Sequence, residues 1–63
     1  MERKFKRKFK RNDEERTIVI IKTVYGVIAE FYENGELVLE TISMQLVNNI
    51  IEEWINNGWK ELK

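Results

Sequence analysis

The sequence predicts an α+β domain: an antiparallel β-meander of three to four strands packed against one C-terminal α-helix, in a dimeric assembly. Three observations lead there. Between Thr41 and Trp59, the apolar residues Val47, Ile50, Ile51, Trp54, Ile55 and Trp59 recur at intervals of three, four, seven and eight, which is one stripe of a helix. Upstream, β-branched and alternating runs are punctuated by Tyr25-Gly26 and Asn34-Gly35, as hairpins are. Both faces of that meander are partly apolar, and one helix of about four turns covers only one face of a sheet. The other face calls for the N-terminal segment or for a second copy of the chain.

Length points the same way. Sixty-three residues make a single domain, 1–63, and a chain this short buries only about 60% of its unfolded surface. It contains no Cys and no His, so disulfides and ordinary zinc sites are excluded as staples. Oligomerisation is the staple that remains, and a homodimer is expected.

Residues 1–11 form a basic segment, RKFKRKFKR from Arg3 onward. As a strand, it sends Phe5, Arg7, Phe9 and Arg11 to one face and Lys4, Lys6, Lys8 and Lys10 to the other. As a helix, Phe5 and Phe9 also meet, one turn apart. Dense like charge repels itself, so the segment reads as an edge strand or a mobile arm. Asn12-Asp13 is turn chemistry and can close a hairpin onto the next strand.

The meander occupies 17–40. TIVIIKTVY, Thr17–Tyr25, carries one charge and reads as a strand buried on both faces. A tight turn at Tyr25-Gly26 leads into Val27–Glu33. Asn34-Gly35 then suits a type I′ turn, whose two central residues need positive φ. The return strand is Glu36–Glu40. A plain two-residue turn sets Tyr32 opposite Leu37, Phe31 opposite Val38 and Glu30 opposite Leu39. That register groups Glu33, Glu36 and Glu40 on one face. Thr41 or Ser43 can cap the helix, 43–57. Gly58 fits the position past its end, with Trp59 folded back and Lys60–Lys63 left as a tail.

The net charge of zero hides a dipole. Residues 1–11 hold seven Lys/Arg and one Glu, while residues 12–63 hold four Lys/Arg and ten acids. The composition, with eight Ile, seven Lys and six Asn but one Ala and no Pro, fits an AT-rich viral, phage or thermophile source. A designed or orphan fold without a partner is a minor alternative. No apolar run approaches the roughly 20 residues of a membrane span. The basic start lacks a signal-peptide core, so the expected setting is the cytoplasm.

Catalytic groups are scarce. The three glycines fall at turns and make no phosphate loop, and no cofactor or metal is expected. Glu30 sits among apolar strand neighbours, but catalysis needs several convergent groups, so a non-enzyme is expected. The basic segment is the one stretch that names a partner. Arg3, Lys4, Lys6, Arg7, Lys8, Lys10 and Arg11 would neutralise phosphates, and Phe5 and Phe9 would stack on bases. The expected function is non-catalytic nucleic-acid binding, and deleting residues 1–11 should then remove binding and leave the fold. Three other readings stand beside it: a solvated tail, a Lys-protected edge strand, and a strand docking on the acidic body of a second copy. A different class, a small protein-interaction module such as a viral inhibitor or adaptor, would use the acidic hairpin and an exposed apolar sheet face.

The helix's Asn-rich face has no cation to hold phosphates and reads as solvated. Trp54 and Trp59 read as core. In layout, a basic KFK hairpin, strands and a final helix, the chain resembles the small SH3-like chromatin proteins of thermophilic archaea, through Lys4-Phe5-Lys6 or Lys8-Phe9-Lys10. Its acidic body departs from that family. The layout is also similar to dimeric β-meander single-strand binders that end in one helix, with TISMQLVNNII at the junction. Both likenesses imply nucleic-acid binding through layout and through no diagnostic motif.

Overall fold

Turn chemistry lays out the sheet. The computed structural model describes residues 2–62, so Met1 of the basic segment and Lys63 of the expected tail lie outside it. Strand β1 (Arg3–Arg11) turns at Asn12-Asp13 into β2 (Glu14–Thr23), with Asn12 at φ 56°. Strand β3 (Gly26–Glu33) passes to β4 (Glu36–Thr41) through Asn34 and Gly35, at φ 51° and 86°. Those are the signs that a type I′ turn demands. The Asn34 side chain also accepts from the Glu15 amide, while the Asn34 amide donates to the Glu15 carbonyl. This turn is therefore tied to the start of β2.

Helix α1 (Met44–Asn56) follows, and then β5 (Lys60–Leu62). All pairings are antiparallel, in the order β4-β3-β2-β1-β5. The result is a five-stranded antiparallel sheet with one helix, a small α+β fold.

Four sequence expectations are corrected. Lys60–Leu62 is a fifth strand rather than a tail, pairing with Lys8–Lys10 of β1. The basic segment is not an arm, and among the described residues it is an edge only in its first half, because β2 flanks it throughout and β5 pairs with Lys8–Lys10 on its other side. The β2–β3 turn lies at Val24-Tyr25, one residue early. There the Thr23 hydroxyl accepts from the Tyr25 amide and donates to the Gly26 carbonyl, which closes the turn from a side chain. Finally, the β3–β4 register shifts between Phe31 and Tyr32, so Phe31 opposes Leu39 and Glu30 opposes Glu40. A bulge at Val38 turns Leu39 toward the helix and Glu40 away from it.

The helix begins where Ser43 Oγ accepts from the Leu46 amide at 3.1 Å, satisfying one orphan donor. It ends in a Schellman motif. Trp59 N–H donates to the Trp54 carbonyl and Gly58 N–H to that of Ile55, with Gly58 at φ 93°. Only glycine adopts that φ without strain. The motif folds Trp59 back beside Trp54, ring centroids 6.1 Å apart. Val47 and Ile51 then pack on Phe9, Ile18, Ala29 and Phe31, with Trp59 closing the cluster. Trp54 meets Phe9 and Phe31 edge-on, at 5.4 and 5.9 Å, in the T-shaped geometry that rings prefer.

Candidate nucleic-acid interface

The strand period divides the basic segment between two surfaces. The cross-strand pairs Phe9–Arg16, Arg7–Ile18 and Phe5–Ile20 place Arg3, Phe5, Arg7, Phe9 and Arg11 on the side that α1 covers. Lys4, Lys6, Lys8 and Lys10 alternate to the open side. The nine residues expected to act together therefore do not share one surface.

On the covered side, the fold already uses most of them. Phe9 is 0% exposed and is one of the largest fully buried side chains. It has no free ring face for a base, so its expected stacking role is dropped. Arg11 donates from Nη1 to the Asn57 carbonyl at 2.9 Å, and its guanidinium lies 4.9 Å from the Trp59 ring centre. The last turn of α1 carries no basic residue of its own, and Arg11 supplies that cation from β1. Arg16 lies 4.2 Å from the Trp59 ring and 5.0 Å from Trp54, with Glu33 at 3.5 Å. Arg7 forks onto Glu61 through two hydrogen bonds, 2.8 and 2.7 Å. The hydrogen bond that Arg7 donates to Glu61 raises the Arg7 pKa most, partial desolvation opposes it, and the Coulomb attraction of Glu61 adds to the rise. Of the basic segment, only Arg3 and Phe5 remain exposed on this side. Phe5 is 45% exposed and lies under the Lys22 ammonium, 5.3 Å away.

The open side is laid out in rows. Lys8 lines up with Thr17, Tyr32 and Leu37, and Lys6 with Val19, Glu30 and Glu40. Lys4 lines up with Ile21 and Ile28, and Lys10 with Glu15. Strand β5 extends two of these rows, setting Lys60 opposite Lys10 and Leu62 opposite Lys8. The lysines of β1 recur every second residue, about 6.8 Å apart along an antiparallel strand. A depression lined by Lys4, Lys6 and Lys8, by Thr17 and Tyr32, and by the carboxylates of Glu15 and Glu30 runs beside them. Lys4 has Glu2 at 3.8 Å, with both side chains more than half exposed, a pairing of little strength.

Two residues of this surface escaped the sequence reading. Lys60 looked like part of a tail, and only its pairing with β1 brings it to the lysine row. Tyr32 figures in the sequence only as the partner of Leu37 across a hairpin, without a role. Its hydroxyl donates to Glu30 Oε1 at 3.1 Å. Desolvation raises its pKa, followed by the hydrogen bond to Glu30 and the charges of Glu30 and Glu40. Glu30 is thus a half-buried acceptor opposite a second carboxylate. The acidic hairpin does not present one patch: Glu33 pairs with Arg16 on the covered side, and the bulge moves Glu40 to the open side.

Among the described residues, no group of three or more His, Cys, Asp or Glu side chains is placed to hold a metal. No helix among them is long and apolar enough to cross a membrane. Comparison with protein-family models, with curated proteins and with solved structures finds no match.

Proposed function

We propose that the chain is a non-catalytic nucleic-acid-binding protein whose interface is the open side of the sheet, centred on Lys4, Lys6, Lys8, Lys10 and Lys60. One observation carries this reading. Strand alternation sends every lysine of β1 to the face that the helix leaves uncovered, and β5 adds Lys60 directly opposite Lys10. Like charges opposite one another in a ladder destabilise it, and a phosphate between them removes that cost. Thr17 and Tyr32 add hydrogen-bonding groups beside the row. The footprint is smaller than the nine residues that the sequence suggests, because Arg7, Phe9 and Arg11 hold the fold.

The test is a fluorescence-polarisation titration against single- and double-stranded oligonucleotides over a range of salt. If all five lysines meet phosphates on a single strand, the log–log salt slope is about −3.5. Absence of binding at low salt refutes the reading.

A second reading has its own observation. The open side is basic along β1 and acidic at Glu30 and Glu40, with Val19, Ile21 and Ile28 between. Two copies face to face about a two-fold axis would set each lysine row on the other's carboxylates. This gives the expected homodimer a specific geometry. Sedimentation at rising salt, where such a dimer dissociates, separates it from nucleic-acid binding by a monomer.

A further inference from the structure

The strand β1 contains a four-residue repeat, Arg3-Lys4-Phe5-Lys6 followed by Arg7-Lys8-Phe9-Lys10. The second copy of the repeat already holds a strand. Glu61 of β5 sits opposite Phe9 and reaches back to Arg7, which grips its carboxylate with two hydrogen bonds. The first copy has the same residues at the same spacing, and β5 pairs only with Lys8–Lys10. Among the described residues, Arg3–Lys6 has β2 on one side and no strand on the other.

We propose that Arg3–Lys6 is a strand-addition site for an extended acidic peptide of another protein, lying antiparallel to β1 in line with β5. Its glutamate sits opposite Phe5 and is forked by Arg3, as Glu61 is by Arg7. Residues on either side of that glutamate face Lys4 and Lys6, where acidic or polar side chains fit.

The two sheet edges differ in a way that favours this one. Strand β4 carries the register shift near Val38, and a bulge with flanking glutamates blunts an edge against pairing. Strand β1 pairs in unbroken register from Arg3 to Arg11, so its open half offers a regular ladder. Its cations resist pairing with its own copy and admit an acidic strand. The site does not rest on the nucleic-acid reading, since its backbone edge and Arg3 lie outside the lysine row, although the peptide's flanking residues would meet Lys4 and Lys6 of that row.

The probe is a capped seven-residue peptide, Val-Thr-Asp-Glu-Thr-Thr-Val, titrated into the labelled protein and followed by amide spectra and hydrogen exchange. Saturable shifts at residues 3–6 are expected, with exchange there slowed about tenfold when free peptide is ten times its Kd. Replacing the peptide's Glu by Gln, or Arg3→Met in the protein, should weaken binding about tenfold. Methylating alternate peptide nitrogens should abolish it. Equal binding of the methylated peptide means diffuse charge attraction and overturns the proposal. So does protection of residues 3–6 in the protein alone that rises with concentration, because a second copy then fills the edge.

Discussion

Replacing Phe9 by Ala distinguishes a core strand from a binding arm more sharply than any other single change. The ring is wholly buried and touches Trp54 edge-on at 5.4 Å. Truncating a buried Phe costs about 3–5 kcal/mol, from lost transfer energy and the cavity left behind. A domain of 63 residues has about 3–9 kcal/mol of stability in all. Phe9→Ala should therefore remove most of it and leave much of the protein unfolded without denaturant. Urea unfolding followed by tryptophan fluorescence is the assay, since Trp54 and Trp59 both lie at this cluster. With a urea dependence of about 1 kcal/mol per molar, the midpoint falls by roughly 3 M or more. Phe5→Ala is the control: its ring is half exposed, and the cost should stay under about 1 kcal/mol. Deleting residues 1–11 should likewise unfold the chain rather than merely silence binding. A Phe9→Ala protein with an unchanged midpoint would refute the placement of β1 inside the sheet.

Four smaller changes probe the helix and the open face. Ser43→Ala leaves the Leu46 amide without its cap and should cost about 1 kcal/mol by urea unfolding, with no effect on oligonucleotide affinity. Gly58→Ala meets only an ordinary contact, 3.7 Å from Arg11 Cδ, but at φ 93° it should cost roughly 1–2 kcal/mol, read as a lower thermal midpoint. The raised Tyr32 pKa has a definite sign. The stability it contributes is fully present below the phenol's unfolded value and is lost as pH rises through the higher folded value. Ultraviolet titration with Tyr32→Phe as reference should show this phenol ionising above 10.0, the ordinary value. Glu30→Gln should lower it only in part, because desolvation is the first cause.

Much of this fold was legible in the residues because strong local chemistry and packing agree. Asn34-Gly35 specified its turn through positive φ, and Val47, Ile50, Ile51 and Trp54 specified a helix by period. Gly58 and Trp59 carried the helix stop. Strand β5 was not legible: Lys-Glu-Leu is three residues long, too short for a period, and its place depends on the Schellman turn aiming it at β1. The bulge at Val38 was also hidden, since Glu-Leu-Val-Leu-Glu alternates acceptably in either register. It settles which of Leu39 and Glu40 faces the helix, and packing with Phe31 decides that. At the candidate site, alternation correctly separated the lysines from Phe5, Arg7, Phe9 and Arg11. No local pattern signals that Arg11 closes the end of α1 or that Glu61 occupies Arg7, because both partners lie some fifty residues away.

The most direct measurement compares two variants that lose equal charge from opposite sides of the sheet. Lys6→Gln with Lys8→Gln strips the open side, and Arg3→Gln with Lys22→Gln strips the covered side, all at exposed residues. Single-stranded oligonucleotide affinity is then followed against salt. If the lysine row is the interface, the first pair flattens the log–log slope by about 1.4, while the second leaves it close to that of the unaltered protein. Equal flattening by both pairs would mean that net charge, and not this face, governs binding, which contradicts the assignment.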